Sequence, residues 1–298
     1  MTKPKKKLLT TAIQWVLNSD GTAGYAINLW VGCSKVSPAC DNCYAEVSRV
    51  SKCLGVEWGD DKPRYKTKTA ITRLIALNEK ARIPIESWER QKIEWNLTDD
   101  EMIAKGFINP PRIRVFINPD SDIYDKKANQ EWRDEFWAIV EQTPYIDYIL
   151  VTKRIGNAKR MIPQSWLDNG YPANVWQLIT VCNQAEADRD IPKLLELKAS
   201  VRGLSIEPML EEIDFLKIDG VMAGGACGGG GETGAVEYDF ECSLNWNILG
   251  GESGKNARPM NPHWARKIRD QCVNAGVPFF FKQWGGWVDA INLSLIHI

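Results

Sequence analysis

Short runs of β-branched and aromatic residues alternate along the chain with longer stretches whose apolar residues recur at helical spacing. The short runs have the length and composition of buried strands, and the longer stretches those of amphipathic helices. Strands are predicted at residues 26–31, 113–117, 148–152, 175–181, 201–206, 246–249 and 278–282, with an eighth near 12–15. Helices are predicted most clearly at residues 41–54, 69–80, 130–141, 186–197 and 262–275.

The alternation of strands and helices predicts the fold class. It indicates an α/β protein with a parallel sheet and helices outside it, and the number of strands favours a single (β/α) barrel, full or partial, over an open doubly wound sheet. Residues 83–111, which are charged and rich in tryptophan, predict a helical insertion, and the glycines of residues 223–242 predict a loop. We therefore predict one domain over residues 1–292. Residues 293–298 resemble a translated sequencing adapter and predict a non-native tail.

Composition and charge are those of an ordinary globular chain. Hydrophobic residues make up 44% and charged residues 25%, and 37 basic against 38 acidic side chains leave a net charge of -1, with no overall attraction to nucleic acid or anionic membrane. No apolar run approaches the roughly 18 residues of a membrane span, and no export signal follows the lysines of residues 3–7. We expect a cytoplasmic protein without a membrane partner, whose eight cysteines are reduced thiols or metal ligands.

Three of the cysteines form a C-x6-C-x2-C array, with Cys33, Cys40 and Cys43 between the first predicted strand and a predicted helix. Three thiolates on one loop can hold an iron-sulfur cluster with one open iron, or supply part of a structural zinc site. On a continuous helix Cys53 would lie about 15 Å beyond Cys43, too far to share a metal. The spacing therefore leaves open a cluster, a zinc ion completed from a distance, and unliganded thiols. The distant candidate ligands are His263, Cys182, Cys227, Cys242 and Cys272; Cys227 and Cys242 are also candidates for a pair or a second metal site.

Polar residues follow nearly every predicted strand. The carboxyl ends of parallel strands meet at one face of a sheet or barrel, where α/β enzymes place their chemistry. The candidate binding residues are Asn118, Asp122, Lys153, Glu207, Gly250, Gly251, Glu252 and Lys282. A mixed-charge pocket that suits a zwitterionic ligand is predicted from the carboxylates Asp120, Asp122, Glu207 and Glu252 and the cations Lys153, Arg154 and Lys282. Asp120, Asp122 and Glu207 also allow a hydrolase with a divalent ion, although carboxylates that cap or lie at the surface explain them more simply.

Several of these motifs, taken in order, carry a family resemblance. They are Gly32-Cys33, Cys40-Asp41-Asn42-Cys43-Tyr44-Ala45-Glu46, Phe116-Ile117-Asn118 with Ser121-Asp122, Leu150-Val151-Thr152-Lys153-Arg154, Leu204-Ser205-Ile206-Glu207-Pro208, Gly250-Gly251-Glu252-Ser253-Gly254 with Ala257-Arg258-Pro259-Met260, and Phe280-Phe281-Lys282-Gln283-Trp284-Gly285. Over residues 15–287 the chain resembles the phage-associated three-cysteine-motif family of unknown function, which in turn resembles radical S-adenosylmethionine (radical SAM) enzymes.

This resemblance implies a 4Fe-4S cluster on Cys33, Cys40 and Cys43, with S-adenosylmethionine at the free iron. Gly250, Gly251 and Glu252 resemble the Gly-Gly-Glu run that contacts the methionyl amine in those enzymes, although here the run follows a late strand. The implied activity is formation of a substrate radical, and the implied partners are an electron donor and a separately encoded protein. The substrate stays open, with nucleic acid or a nucleotide among the candidates. The alternative is a zinc-stabilised module that binds nucleic acid or a protein partner without catalysis, for which the 13 tryptophans and the lysines of residues 3–7 offer stacking and phosphate contacts.

Overall fold

The computed structural model describes residues 9–218, 221 and 244–287. Its strands are β1 (Tyr25–Ile27), β2 (Trp30–Val31), β3 (Tyr65–Lys66), β4 (Ile113–Ile117), β5 (Ile146–Thr152), β6 (Val175–Thr180), β7 (Val201–Ile206), β8 (Trp246–Gly250) and β9 (Phe279–Gln283). Its α-helices are α1 (Arg49–Leu54), α2 (Ala70–Trp95), α3 (Asp99–Ala104), α4 (Gln130–Gln142), α5 (Gln164–Asn169), α6 (Gln184–Leu195) and α7 (Pro262–Asn274).

Seven of these strands form one parallel sheet in the order β1-β4-β5-β6-β7-β8-β9, and β2 pairs with β3 in a separate antiparallel hairpin. The large sheet curls into a half-barrel with helices around it, and within the described residues its edge strands β1 and β9 do not pair. The prediction of an α/β fold with a partial (β/α) barrel is confirmed. Since all neighbouring strands of this sheet pair in parallel, all seven carboxyl ends lie at the same end of the half-barrel.

The two faces of the sheet carry separate apolar clusters. Successive residues of a strand point to opposite faces, so in β4 Val115 and Ile117 pack outward against the helices while Phe116 points inward. The inner cluster comprises Trp15, Val16, Phe116, Ile149, Leu178 and Ile248. These residues fill the interior of the half-barrel.

The first predicted strand, residues 26–31, is divided into two. Asn118 lies at the end of β4 with a left-handed φ of 60°, and its backbone N–H donates to the carbonyl of Ile27. Its side-chain oxygen then accepts from the backbone N–H of Leu29 at 2.7 Å, so a side chain replaces the next partner of the sheet. The chain leaves the half-barrel there and enters β2. The predicted eighth strand near residues 12–15 is wrong: these residues form a turn, in which Val16 N–H donates to Ile13.

The helix predicted over residues 41–54 is also shorter than expected. Only its last part is helical, because α1 begins after Ser48, whose hydroxyl accepts from the Ser51 N–H at 3.1 Å. Residues 41–48 instead form turns. The predicted separation of Cys43 and Cys53 assumed one continuous helix, so it does not apply to this structure. Cys53 lies on α1 and is exposed.

The segment predicted as a helical insertion, residues 83–111, contains the second half of α2 and all of α3. The helix α2 continues through Pro84 instead of ending near residue 80. Thr98 and Glu101 form a reciprocal capping box that begins α3. The predicted glycine-rich loop with Cys227 and Cys242, the lysines of residues 3–7 and the tail at 293–298 lie outside the described residues. None of the helices that the structure describes combines the length and apolarity of a membrane span.

Candidate functional site

A cavity of about 640 Å³ opens at the carboxyl ends of the parallel strands. Its volume is within the range of small-molecule and cofactor sites. It is lined by the three cysteines of the array and by most of the predicted binding residues: Cys33, Cys40, Cys43, Asn118, Asp122, Lys153, Glu207, Gly251, Glu252 and Lys282. Gly250 does not line the cavity, but a Cβ added to it would lie 3.4 Å from the side chain of Glu207, which does. Ile13, Trp15, Phe116 and Val151 add an apolar surface to the same cavity.

Asn118 and Asp122 come from the loop after β4, and both are buried. The side-chain nitrogen of Asn118 has no hydrogen-bond partner among the described residues. Asp122 is satisfied: it accepts from the Thr152 hydroxyl at 2.7 Å and from the Lys153 backbone N–H at 3.0 Å. This carboxylate therefore orients the end of β5, whereas Asn118 uses its side-chain oxygen to hold the backbone at Leu29.

Cys33 is buried against the guanidinium of Arg154, whose Nη1 lies 3.1 Å from its Sγ. Arg154 also lies 3.3 Å from Asp122 and donates to the carbonyl of Ser34 at 2.8 Å. Burial raises the pKa of the Cys33 thiol to about 12, and the charge of Arg154 opposes that rise without cancelling it. Without a metal, Cys33 is therefore a protonated thiol at neutral pH.

Cys40 and Cys43 lie on the part of the loop that turns back over the cavity. Cys40 ends a short 3-10 helix, Pro38–Cys40, which begins where the Ser37 hydroxyl accepts from the Ala39 N–H at 3.1 Å. Cys40 is buried and Cys43 is half-buried. Cys182, at the end of β6, lies behind this turn with its sulfur 3.9 Å from the Ser37 hydroxyl. The fold thus places Cys40 and Cys43 in the lining of the cavity and a further buried thiol, that of Cys182, near Ser37.

Glu252, in the loop after β8, is almost completely hydrogen-bonded. Its Oε1 accepts from Arg258 Nη2 at 2.6 Å, and its Oε2 accepts from the Arg258 backbone N–H, from Arg258 Nε and from Asn42 Nδ2 at 2.8–3.0 Å. Burial would raise the pKa of Glu252, but the hydrogen bonds from Arg258 and Asn42 outweigh it and hold the pKa below its usual value. Both oxygens of this carboxylate are engaged within the chain.

The same network joins the cysteine loop to the far side of the half-barrel. Asn42, between Cys40 and Cys43, donates to Asn256 as well as to Glu252, and Arg258 reaches Asp41 at 3.1 Å and the Pro38 carbonyl at 2.8 Å. The loop follows β2 near one edge of the sheet, whereas β8 lies near the other edge. These side chains therefore span the mouth of the cavity where the sheet itself does not close.

Lys153 and Lys282, two of the lysines that line the cavity, differ in their partners. Lys282 on β9 is paired with Glu207, which also accepts from Gln283 at 3.4 Å. The Lys153 ammonium has no hydrogen bond or ion pair within the described part of the chain. Burial would lower the pKa of Lys153, but the charges of Cys40, Cys43 and Asp122 outweigh it and raise the pKa. Among the described residues, Lys153 is thus a cation of the cavity lining without a partner, and Glu207 accepts hydrogen bonds at only one of its two oxygens.

The three thiols are of the right chemical type to bind a metal, but in this structure they are not arranged around one. Thiols are the usual donors to iron-sulfur clusters and to structural zinc, and the array brings three of them to one cavity. In the part of the chain that the structure describes, no group of three or more His, Cys, Asp or Glu residues is arranged to hold a metal ion. Residues 36–48 consist of turns and one short 3-10 helix, so their thiols can approach one another without distorting a strand. The donor set fits a cluster, whose binding would tighten this loop.

Sequence comparison assigns the chain to a family. A family described as a protein of unknown function, DUF5131, matches residues 10–294, nearly the whole chain. The chain belongs to the DUF5131 family. No curated protein and no solved structure matches it. Membership of DUF5131 therefore assigns no activity, and function has to be argued from the cavity.

The other candidate ligands are less well placed for the array. Cys272 is buried and its sulfur accepts from Asn247 Nδ2 at 3.2 Å, while His263 lies in the first turn of α7. Neither of these two residues lines the cavity.

Of the carboxylates considered for a hydrolase, Asp120 accepts from Asn28 Nδ2 at 2.7 Å. The sequence placed Arg154 among the cations of the predicted mixed-charge pocket but did not predict its contact with Cys33, and it did not single out Arg258 as a site residue.

The two glycines after β8 are expected to differ in their tolerance of a side chain. A Cβ at Gly251 would lie 2.0 Å from the Trp284 carbonyl oxygen, whereas one at Gly250 would meet the Glu207 side chain at 3.4 Å, an ordinary contact. We expect Gly251→Ala to lower the free energy of unfolding by roughly 2–3 kcal/mol, because backbone must move. The matched Gly250→Ala should cost less than about 1 kcal/mol. Urea unfolding followed by tryptophan fluorescence measures both, and equal stabilities would contradict the close backbone packing.

Proposed function

We propose that this protein is an iron-sulfur enzyme of the radical SAM type, which holds a 4Fe-4S cluster on Cys33, Cys40 and Cys43. The observation that carries the proposal is that these three cysteines line one cavity at the carboxyl ends of the parallel strands. In (β/α) barrels this is the end where active sites are found. The likeness to the phage-associated three-cysteine-motif family supports the same proposal.

A bound cluster and S-adenosylmethionine would supply one-electron chemistry that leads to abstraction of a hydrogen atom from the substrate. The chain's own residues would bind and orient the reactants. Lys153, which has no partner within the described residues, suits a carboxylate, and the Glu207 oxygen that accepts no hydrogen bond from a described residue suits an amine. A zwitterion such as the methionyl group presents both. Trp15 and Phe116 would keep water from the deeper part of the cavity.

Residues of the later strands and the loops that follow them would hold the cysteine loop and bind the substrate. Glu252 and Arg258 would hold the cysteine loop across the mouth, through contacts that they make with Asn42 and Asp41. Thr180 and Ser205 are neighbours in the register of β6 and β7, and both line the cavity. Their hydroxyls have no hydrogen-bond partner within the described residues, so they offer donors and acceptors to a polar substrate. Nucleotides and nucleic acids are polar substrates that could form such hydrogen bonds.

Anaerobic reconstitution tests the proposal. Protein purified without oxygen is incubated with iron and sulfide, and its iron, sulfide and zinc are measured. We expect about four irons per chain, and an EPR signal of the dithionite-reduced protein that changes when S-adenosylmethionine is added. Formation of 5′-deoxyadenosine, with dithionite standing in for the electron donor, would show turnover.

A protein that retains only zinc would overturn the proposal in favour of the zinc-stabilised binding module. A reduced cluster whose EPR signal ignores S-adenosylmethionine would remove the radical chemistry and leave an iron-sulfur protein. Binding to nucleic acid is then measured over a range of salt concentrations. Binding that weakens steeply with salt would show contacts with phosphates and would support the zinc-stabilised binding module.

A further inference from the structure

The three cysteines of the array differ in their hydrogen bonding. Within the described residues only Cys33 has a charged donor at its sulfur, the Nη1 of Arg154 at 3.1 Å. Cys40 and Cys43 lie on the turns of the loop and receive no such bond there. A cluster held by all three would therefore have one sulfur beside a positive charge.

The position of Arg154 is set by the fold. Its side chain is 7% exposed, and besides Cys33 it contacts Asp122 at 3.3 Å, the Ser34 carbonyl at 2.8 Å and the Ser34 hydroxyl at 3.0 Å. The Thr152 hydroxyl accepts from the Arg154 backbone N–H at 2.8 Å and donates to Asp122. Five interactions thus hold the arginine, and its guanidinium does not depend on a ligand for its orientation.

We infer that Arg154 is a positioning residue that raises the reduction potential of the cluster through its hydrogen bond to Cys33. This inference rests on the proposed function. Reduction adds an electron to the cluster and so increases the negative charge on its sulfurs. A nearby cation and N–H donor stabilise that added charge, and hydrogen bonds to the sulfurs are a recognised determinant of cluster potential. The reduced state is therefore favoured over that of a cluster without the arginine.

An anaerobic redox titration followed by EPR tests this inference on reconstituted protein. The variants are Arg154→Gln, which removes the charge, Arg154→Lys, which keeps the charge but loses the planar fork, and Ser34→Ala, which removes one anchor of the guanidinium. Arg269→Gln is the control, because Arg269 lies on α7 and pairs with Asp270. All are compared at equal iron content.

For Arg154→Gln we expect the equilibrium between reduced and oxidised cluster to move about tenfold towards the oxidised state, a negative shift of 59 mV for one electron. Arg154→Lys and Ser34→Ala should shift the potential in the same direction by less, and Arg269→Gln should leave it unchanged. If Arg154→Gln holds no iron, the other two variants decide the matter.

An unchanged potential in the variants that retain the cluster overturns the role of Arg154 and leaves the proposed cluster intact. A wild-type protein that forms no cluster overturns both. Because iron content and potential are separate measurements, the two failures are distinguishable.

Discussion

Replacing Cys33, Cys40 or Cys43 singly with alanine is expected to lower the iron content from about four atoms per chain to near zero. Each of the three thiolates would bind one iron of the cluster, and a cluster with two protein ligands on an open loop is readily lost. Iron and sulfide analysis after anaerobic reconstitution, with the visible absorption of the cluster, measures the effect. Alanine is preferred to serine because its side chain has no ligating atom.

Cys53→Ala is the matched control for these variants. Cys53 is exposed on α1, ten residues after Cys43, and does not line the cavity. It should keep the full iron content. If any of the three array variants retained iron at the wild-type level, or if Cys53→Ala lost as much as they do, the assignment of ligands would be wrong.

The second large effect is expected at Asp125. This carboxylate forms a buried ion pair with Arg64, Nε to Oδ2 at 2.6 Å, and both side chains are at most 2% exposed. Removing one partner leaves a buried charge without compensation, which costs about 3–5 kcal/mol. We therefore expect Asp125→Ala to lower the free energy of unfolding by that amount, as measured by chemical denaturation.

The pair also supports the cysteine loop from behind. Arg64 donates to the Gly59 carbonyl at 2.9 Å, and the Gly59 N–H donates to the Cys33 carbonyl. Loss of Asp125 should therefore expose the backbone near Cys33 to faster hydrogen exchange.

The exposed Asp61→Ala is the control and should change stability by less than about 0.5 kcal/mol. Replacing both members of the pair, as Arg64→Met with Asp125→Leu, should recover part of the loss, because no charge is then left unpaired. Equal stability of Asp125→Ala and Asp61→Ala would contradict this account.

Much of the architecture was predictable because it depends on local periodicity. Six of the seven strands of the half-barrel lie within a few residues of their predicted positions, and chain order equals sheet order. The errors fall where a side chain takes over a backbone interaction. Asn118 ends β1 early by accepting from Leu29, and the contacts of Asp41 and Asn42 with Arg258 and Glu252 accompany turns where a helix was predicted.

The candidate site divides in the same way. That Asn118, Asp122, Lys153, Glu207 and Lys282 share one cavity follows from their positions at strand ends, and the cavity contains all five. Which of their polar atoms are free does not follow from position. Asp122 is fully engaged at β5, and both oxygens of Glu252 are engaged by Arg258 and Asn42, whereas Lys153 has no partner in the described part.

The sequence by itself determined the α/β class, the positions of most strands and the gathering of polar residues and three cysteines at one end of the sheet. These depend on the spacing of apolar side chains and on the direction of parallel strands, which are properties of neighbouring residues. Only the tertiary structure decided that Arg154 contacts Cys33 and that Arg258 joins the cysteine loop to the end of β8. Such hydrogen bonds join residues 121 and 220 positions apart in the chain, so their partners are set by packing and leave no periodic pattern in the sequence.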